Sequence, residues 1–171
     1  DPGHGDWDVG AIGVNGSYEK DIVLDIALIV GELLENSGIN VVYTRNNDTL
    51  NWSDNSIENL YERVRISKDN NAELFISIHC NATPDKSYPT HGLETYYWEN
   101  NKDSYKLAQS IQNSILSDLN INDRGVKKEK YQVLRESYCP SVLIETGFLT
   151  NPKDASNLSN NRYQKKLAKA I

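Results

Sequence analysis

Four side chains in this sequence have types and settings that suit hydrolytic chemistry. His4 stands between Gly3 and Gly5 at the head of the loop DPGHGDWDVGAIGVNGSYEKD, which shows neither strand nor helix periodicity before Lys20. Glycine permits positive φ and close backbone approach, so this loop is shaped around something. His79 ends the apolar run LFISIH, Glu145 ends SVLIE ahead of Thr146-Gly147, and Glu19 closes the loop that His4 begins. Each has an ordinary alternative. His4 could be a general base, a metal ligand or a surface imidazole, and Glu19 alone reads as a helix-start acid favoured by the macrodipole. Glu145 is harder to explain away, because burying a carboxylate is costly unless it is paired or functional. Two histidines and a carboxylate suit a catalytic zinc, which keeps three protein ligands and an open position for water; the remaining carboxylate is then free to act as base. His91, in a proline-flanked loop, reads as a surface residue.

The elements that must position these groups follow from periodicity. Residues 21–37 carry Ile22, Ile26, Ile29, Val30 and Leu33 at helical spacing, with Gly38 where a C′ glycine belongs. INVVYT (39–44) reads as a strand, and residues 56–70 as a helix through Ile57, Leu60, Tyr61 and Val64. LFISIH (74–79) and SVLIE (141–145) are apolar runs of the kind buried on both faces of a sheet. LETYYW (93–98) is a further strand, antiparallel because only a loop links it to the one before. A helix is expected over 104–119, and Asn151-Pro152 caps and opens another helical turn. The alternation implies a single α/β domain: a twisted, largely parallel but mixed sheet with helices on both faces. In such sheets ligands bind beyond the carboxyl ends of the strands, which gathers His4, His79 and Glu145 at one edge. DPGHG is the sort of loop that leaves a strand, so a first strand is expected to be missing. Residues 163–171 read as a helix still running at the end.

Composition narrows the classes. The 171 residues can bury a real core, and 38% hydrophobic with 25% charged residues is ordinary for a globular chain. A net charge of -6 argues against a phosphate-backbone partner, and no apolar stretch is long enough to span a bilayer. The absence of methionine implies a processed form or an excerpt. Cys80 and Cys139 make neither a disulfide framework nor a CxxC zinc site. They are expected at opposite ends of their strands, beyond the Cα separation of about 7 Å that a disulfide tolerates, and so as free thiols. The Cys80 side chain should point to the face opposite His79, which removes it from any ligand set.

At these residues the sequence resembles the zinc-dependent N-acetylmuramoyl-L-alanine amidases that cut bacterial peptidoglycan, the amidase-3 type. The matching blocks are DPGHG with DVGAIGVNGSYEKDI; Thr44, Arg45 and Asp48; ERVRIS and AELFISIHCNA; GLETYYW; and VLR, CPSVLIETGFLTNPKD. They run in order over residues 1–154, nearly the whole chain. The resemblance implies one zinc held by His4, Glu19 and His79, with Glu145 as the catalytic glutamate. It implies an amidase catalytic domain over 1–171, truncated at both ends. The substrate implied is the amide between the lactyl group of N-acetylmuramic acid and L-alanine of the stem peptide, at the extracellular bacterial cell wall. Cys80 departs from the small residue, such as alanine, expected there. Residue chemistry by itself reaches metal-assisted amide or ester hydrolysis, which a zinc exopeptidase or carboxypeptidase would also fit. An inactive wall-binding module is the alternative of another class, against which the intact His4, Glu19, His79 and Glu145 set argues.

Some members of that family are held inactive by an extra helix inserted after the strand corresponding to LETYYW. Here only ENNKD (99–103) follows that strand, too short to nucleate a covering helix. The expectation is an open cleft, a monomeric catalytic domain, no membrane or nucleic-acid partner and no obligatory activator.

Overall fold

The apolar stripe after the glycine loop becomes helix α1 (Glu19–Asn36), which buries Ile22, Val23, Ile26, Ala27 and Val30. It stops as expected: Gly38 takes φ +82 and its N–H reaches the Glu35 carbonyl. The computed structural model describes residues 1–52, 55–84, 89–99 and 101–171. Parts of three expected connections therefore lie outside the described residues: Ser53 and Asp54, residues 85–88, and Asn100 of ENNKD.

The remaining elements are α2 (Ser56–Asp69), β1 (Phe75–Asn81), β2 (Leu93–Tyr97), α3 (Lys102–Asp118), β3 (Asp123–Lys128), α4 (Gln132–Arg135), β4 (Ser141–Phe148), α5 (Pro152–Leu158) and α6 (Asn161–Ala170). The strands form one mixed sheet in the order β1-β4-β2-β3. β1 and β4 are parallel, β2 is antiparallel to β4, and β3 is parallel to β2. Antiparallel LETYYW is thus borne out, although its partner is β4 and not the preceding strand.

Alternation sorts the side chains to two faces. Ile78 and Cys80 of β1, Val142 and Ile144 of β4 and Leu93 of β2 pack into a core with α1, α3 and α6. Fully burying an aliphatic side chain of this kind contributes about 1.5–3 kcal/mol. On the other face Phe75 and Leu143 pack with Val64 of α2 and Val133 and Leu134 of α4. That second cluster is smaller and leaves part of the sheet face uncovered, which is where the candidate site lies. Both cysteines are free and buried, as expected, and Cys80 faces the larger core.

Three expectations need correction. Residues 39–44 do not form a strand; Ile39 and Val42 are exposed. β-branched residues stabilise a strand only where a neighbour completes the ladder, and among the described residues no strand pairs with this segment. This segment is instead tied through its end, where the Thr44 hydroxyl donates to Asp1 Oδ1 at 2.6 Å and Arg45 donates to the Pro2 and Gly3 carbonyls. Second, β3 escaped the sequence reading, since DRGVKK holds one apolar residue and a glycine. Third, His79 and Glu145 do not end their strands, which run on to Asn81 and Phe148.

Candidate active site

β1 and β4 lie in parallel register with His79 directly opposite Glu145, both on the sheet face that α2 and α4 cover only in part. Glu19, the first residue of α1, reaches the same point from the other side of β1's end and is 3% exposed. Its Oε1 lies 3.1 Å from His4 Nε2 and 3.0 Å from His79 Nδ1, and accepts the Cys80 N–H at 2.9 Å. Its Oε2 accepts the Ala11 N–H at 2.8 Å. The His4, Glu19 and His79 donor atoms all lie within 4.8 Å of one another. The four residues singled out from the sequence therefore come together, three as a converging donor group and Glu145 beside it.

The glycines of the loop are explained by close approach. A Cβ on Gly3 would stand 2.2 Å from His79 Cε1, and one on Gly10 would stand 2.6 Å from Glu19 Oε2 and 2.7 Å from His4 Cδ2. His4 itself holds φ +58, which aims its ring across the loop, and its Nδ1 lies 2.8 Å from Asp8 Oδ2. Gly3→Ala is expected to push the His79 ring out of place and to destabilise the fold by about 1–3 kcal/mol, the usual cost of overpacking. Thermal denaturation reads this directly, and an unchanged midpoint would mean that the ring has room the geometry denies.

The electrostatics divide the two glutamates. Burial works against ionised Glu19, yet its hydrogen bonds to His4 and His79 outweigh it and hold the carboxyl well below the usual range. Burial also pulls His4 down, but the bonds to Asp8 and Glu19 prevail and raise it to about 9. His79 is lowered, chiefly by burial. Glu145 is pushed up to about 8 by burial, with Glu19 and Glu94 adding like-charge repulsion. Its Oε2 is enclosed with no hydrogen-bond partner among the described residues. The two carboxyls are thus driven in opposite directions: Glu19, between two imidazoles, toward its ionised form and Glu145 toward its protonated form.

A cleft of about 200 Å³ opens onto this group, lined by His4, His79 and Glu145 together with Asp8, Arg63 and Tyr131. A second hollow, about 370 Å³, lies between His91, Asp123, Asp154 and Tyr163 and holds none of the four. Sequence reading missed three neighbours. Asp8 orients His4. Arg63, 2% exposed, donates to the carbonyls of Pro2 and His4 and so fixes the loop's backbone. Glu94 sits on β2 directly opposite Glu145. Its only sequence signal was a charge alternating with Leu93 and Thr95, which are buried.

The mixed α/β sheet thus carries at one end a His/Glu/His group that could hold a metal ion, with a buried carboxyl beside it. The N-acetylmuramoyl-L-alanine amidase family model matches residues 1–171, and the chain belongs to that family. N-acetylmuramoyl-L-alanine amidase LytC of Bacillus subtilis (strain 168) is 46% identical over 173 residues, covering 100% of this chain and 33% of LytC. The chain thus spans about a third of that relative's length. Among solved structures, the amidase AmiC2 of Nostoc punctiforme matches with a TM-score of 0.91 and 38% identity, covering 100% of this chain and 89% of AmiC2. The CwlD amidase of Clostridioides difficile, solved in complex with the GerS lipoprotein, matches with a TM-score of 0.87 and 33% identity over 99% of this chain and 91% of CwlD.

Proposed function

We propose that residues 1–171 form the catalytic domain of a zinc-dependent N-acetylmuramoyl-L-alanine amidase. It would hydrolyse the amide between the lactyl group of N-acetylmuramic acid and L-alanine of the peptidoglycan stem peptide, at the bacterial cell wall. The observation that carries this reading is the convergence of His4, Glu19 and His79 within 4.8 Å, beside Glu145, in a chain of this family.

The residues present fit one zinc. Two imidazoles and a carboxylate are the donor set of a catalytic site with an open position, and the buried Glu145 Oε2 has no hydrogen-bond partner among the described residues. What a bound zinc supplies is Lewis acidity, which polarises the scissile carbonyl and acidifies water. The chain does the rest. Asp8 fixes the His4 ring through Nδ1, leaving Nε2 to face the site. Glu19 stays ionised at any physiological pH and neutralises part of the cation's charge. Glu145 takes the proton of the attacking water at its carboxylate and passes it to the departing amine nitrogen of alanine. Such general acid–base work contributes roughly 10²–10⁴-fold, most when the group's pKa lies near the working pH. No covalent intermediate with the chain is needed.

The domain is proposed to act as a monomer and without an activator. The His4 and His79 side chains keep 23% and 20% of their surface open, so substrate can reach them. CwlD was solved with a lipoprotein partner, so the test is run with no protein added. Purified peptidoglycan digested by this domain should release free stem peptides with intact N-terminal alanine, and a chelator should abolish the release. Mass spectra showing shortened stem peptides would point to an exopeptidase. Release only after an activator is added would defeat the open-cleft reading.

A further inference from the structure

The sheet edge beside Glu145 carries a pair of cations that the reaction does not use. Glu94, on β2, is the direct cross-strand partner of Glu145 and faces the same side of the sheet. It is 2% exposed, yet it is fully partnered. Oε1 accepts from Arg124 Nε at 2.5 Å and from Lys127 Nζ at 2.6 Å; Oε2 accepts from the Tyr96 hydroxyl at 2.5 Å and from Asn81 Nδ2 at 3.2 Å. One carboxylate therefore anchors two cations, and one positive charge is left over.

The backbone is specially arranged to do this. Arg124 and Lys127 are three residues apart, and in a regular strand they would face opposite sides of the sheet. In the β2–β3 ladder, Leu93 pairs with Asp123 but Thr95 pairs with Val126, so two residues of β2 span three of β3. The extra residue is a bulge at Arg124-Gly125, where Gly125 takes φ +84. Bulges re-aim side chains, and they concentrate beside active sites. This one turns both cations onto Glu94. A bulge and inward-turned charges also protect a sheet edge, but edge protection by itself does not require two cations on one buried carboxylate. Lys128 adds a further cation at the rim, reaching Glu99 at 3.2 Å.

Arg124 and Lys127 remain open to a ligand. Their side chains are 32% and 38% exposed. The Arg124 guanidinium rests over the Phe148 ring, 4.9 Å from its centroid. Among the described residues only its Nε makes a hydrogen bond, so its terminal nitrogens have donors left for a carboxylate. Adjacent strands lie about 4.8 Å apart, which puts β3 roughly 10 Å from Glu145. An extended peptide covers that distance in about three residues.

We infer that Arg124 and Lys127, held by Glu94, form a subsite for a free carboxylate carried by the leaving peptide within about three residues of the scissile amide. This rests on the amidase reading above. The enzyme would accordingly prefer stem peptides whose carboxylate is free over those in which it is a primary amide.

The test compares kcat/KM for two muramyl peptides that differ only in that group, acid or amide. The wild-type domain is expected to favour the acid about tenfold, the scale of one charge-assisted hydrogen-bonded contact. In Arg124→Gln and Lys127→Gln that preference should fall toward one, mainly through KM. Equal rates for acid and amide with the wild-type enzyme would overturn the subsite, and this measurement needs no variant to fold. Variants that lose both substrates alike would also overturn it, assigning the cations a structural role. Should neither peptide be cleaved, the amidase reading fails separately. Calorimetric titration of the wild-type domain with the free peptide, acid against amide, then decides the subsite.

Discussion

Glu145→Gln is expected to lower turnover on peptidoglycan by about 10²–10⁴-fold, the contribution of a positioned general acid–base group, while zinc content stays at one per chain. The substitution keeps the shape of the side chain and leaves His4, Glu19 and His79 in place. It removes only the ability to take a proton. The variant should also be distinguishable by its stability. Burial, Glu19 and Glu94 raise the Glu145 pKa from its ordinary 4.5 to about 8 in the metal-free protein. A group whose pKa is raised on folding contributes stability below its unfolded pKa and loses it as pH rises through the folded value. Glutamine does not titrate, so the metal-free variant should gain on the wild type between about pH 4.5 and 8. Near-normal turnover with zinc bound would reassign Glu145 to structure.

His79→Ala is expected to have the opposite signature, with both metal and activity lost. The variant removes one of three donors and leaves the buried Glu19 carboxylate with one partner fewer, which costs about 1–3 kcal/mol when an acceptor is left short. Metal analysis of the purified protein, alongside the digestion assay, separates this from the Glu145 variant. A His79→Ala protein that still held one tightly bound zinc would place the metal elsewhere and remove the basis of the mechanism.

The elements that could be read early share a physical property. α1 announces itself through apolar residues at helical spacing, and the buried strands β1 and β4 through short apolar runs, because each is defined by burial that the residue types record. β3 was invisible for the converse reason. Arg124, Lys127 and Lys128 find their partners across the sheet, on Glu94 and Glu99, and no local pattern reports that. Residues 39–44 had strand-forming residues without a described neighbour to pair with, and propensity alone did not make a strand.

The candidate site divides in the same way. Residue types by themselves singled out two histidines and two glutamates as candidates, each with an ordinary alternative, and pointed to a glycine loop that passes close to something. Only the tertiary structure decided what that loop passes: Gly3 lies against the His79 ring, 76 positions away in the chain, and Glu19 bridges His4 and His79 across a sequence gap of 60 from the latter. It alone placed Glu94 opposite Glu145 and set the bulge that turns Arg124 and Lys127 to one side. Local sequence carries burial and periodicity, whereas strand register and bulges arise from pairing between distant segments. A one-residue change of register moves a side chain to the other face, so the partners of a buried charge are settled only when the sheet is assembled.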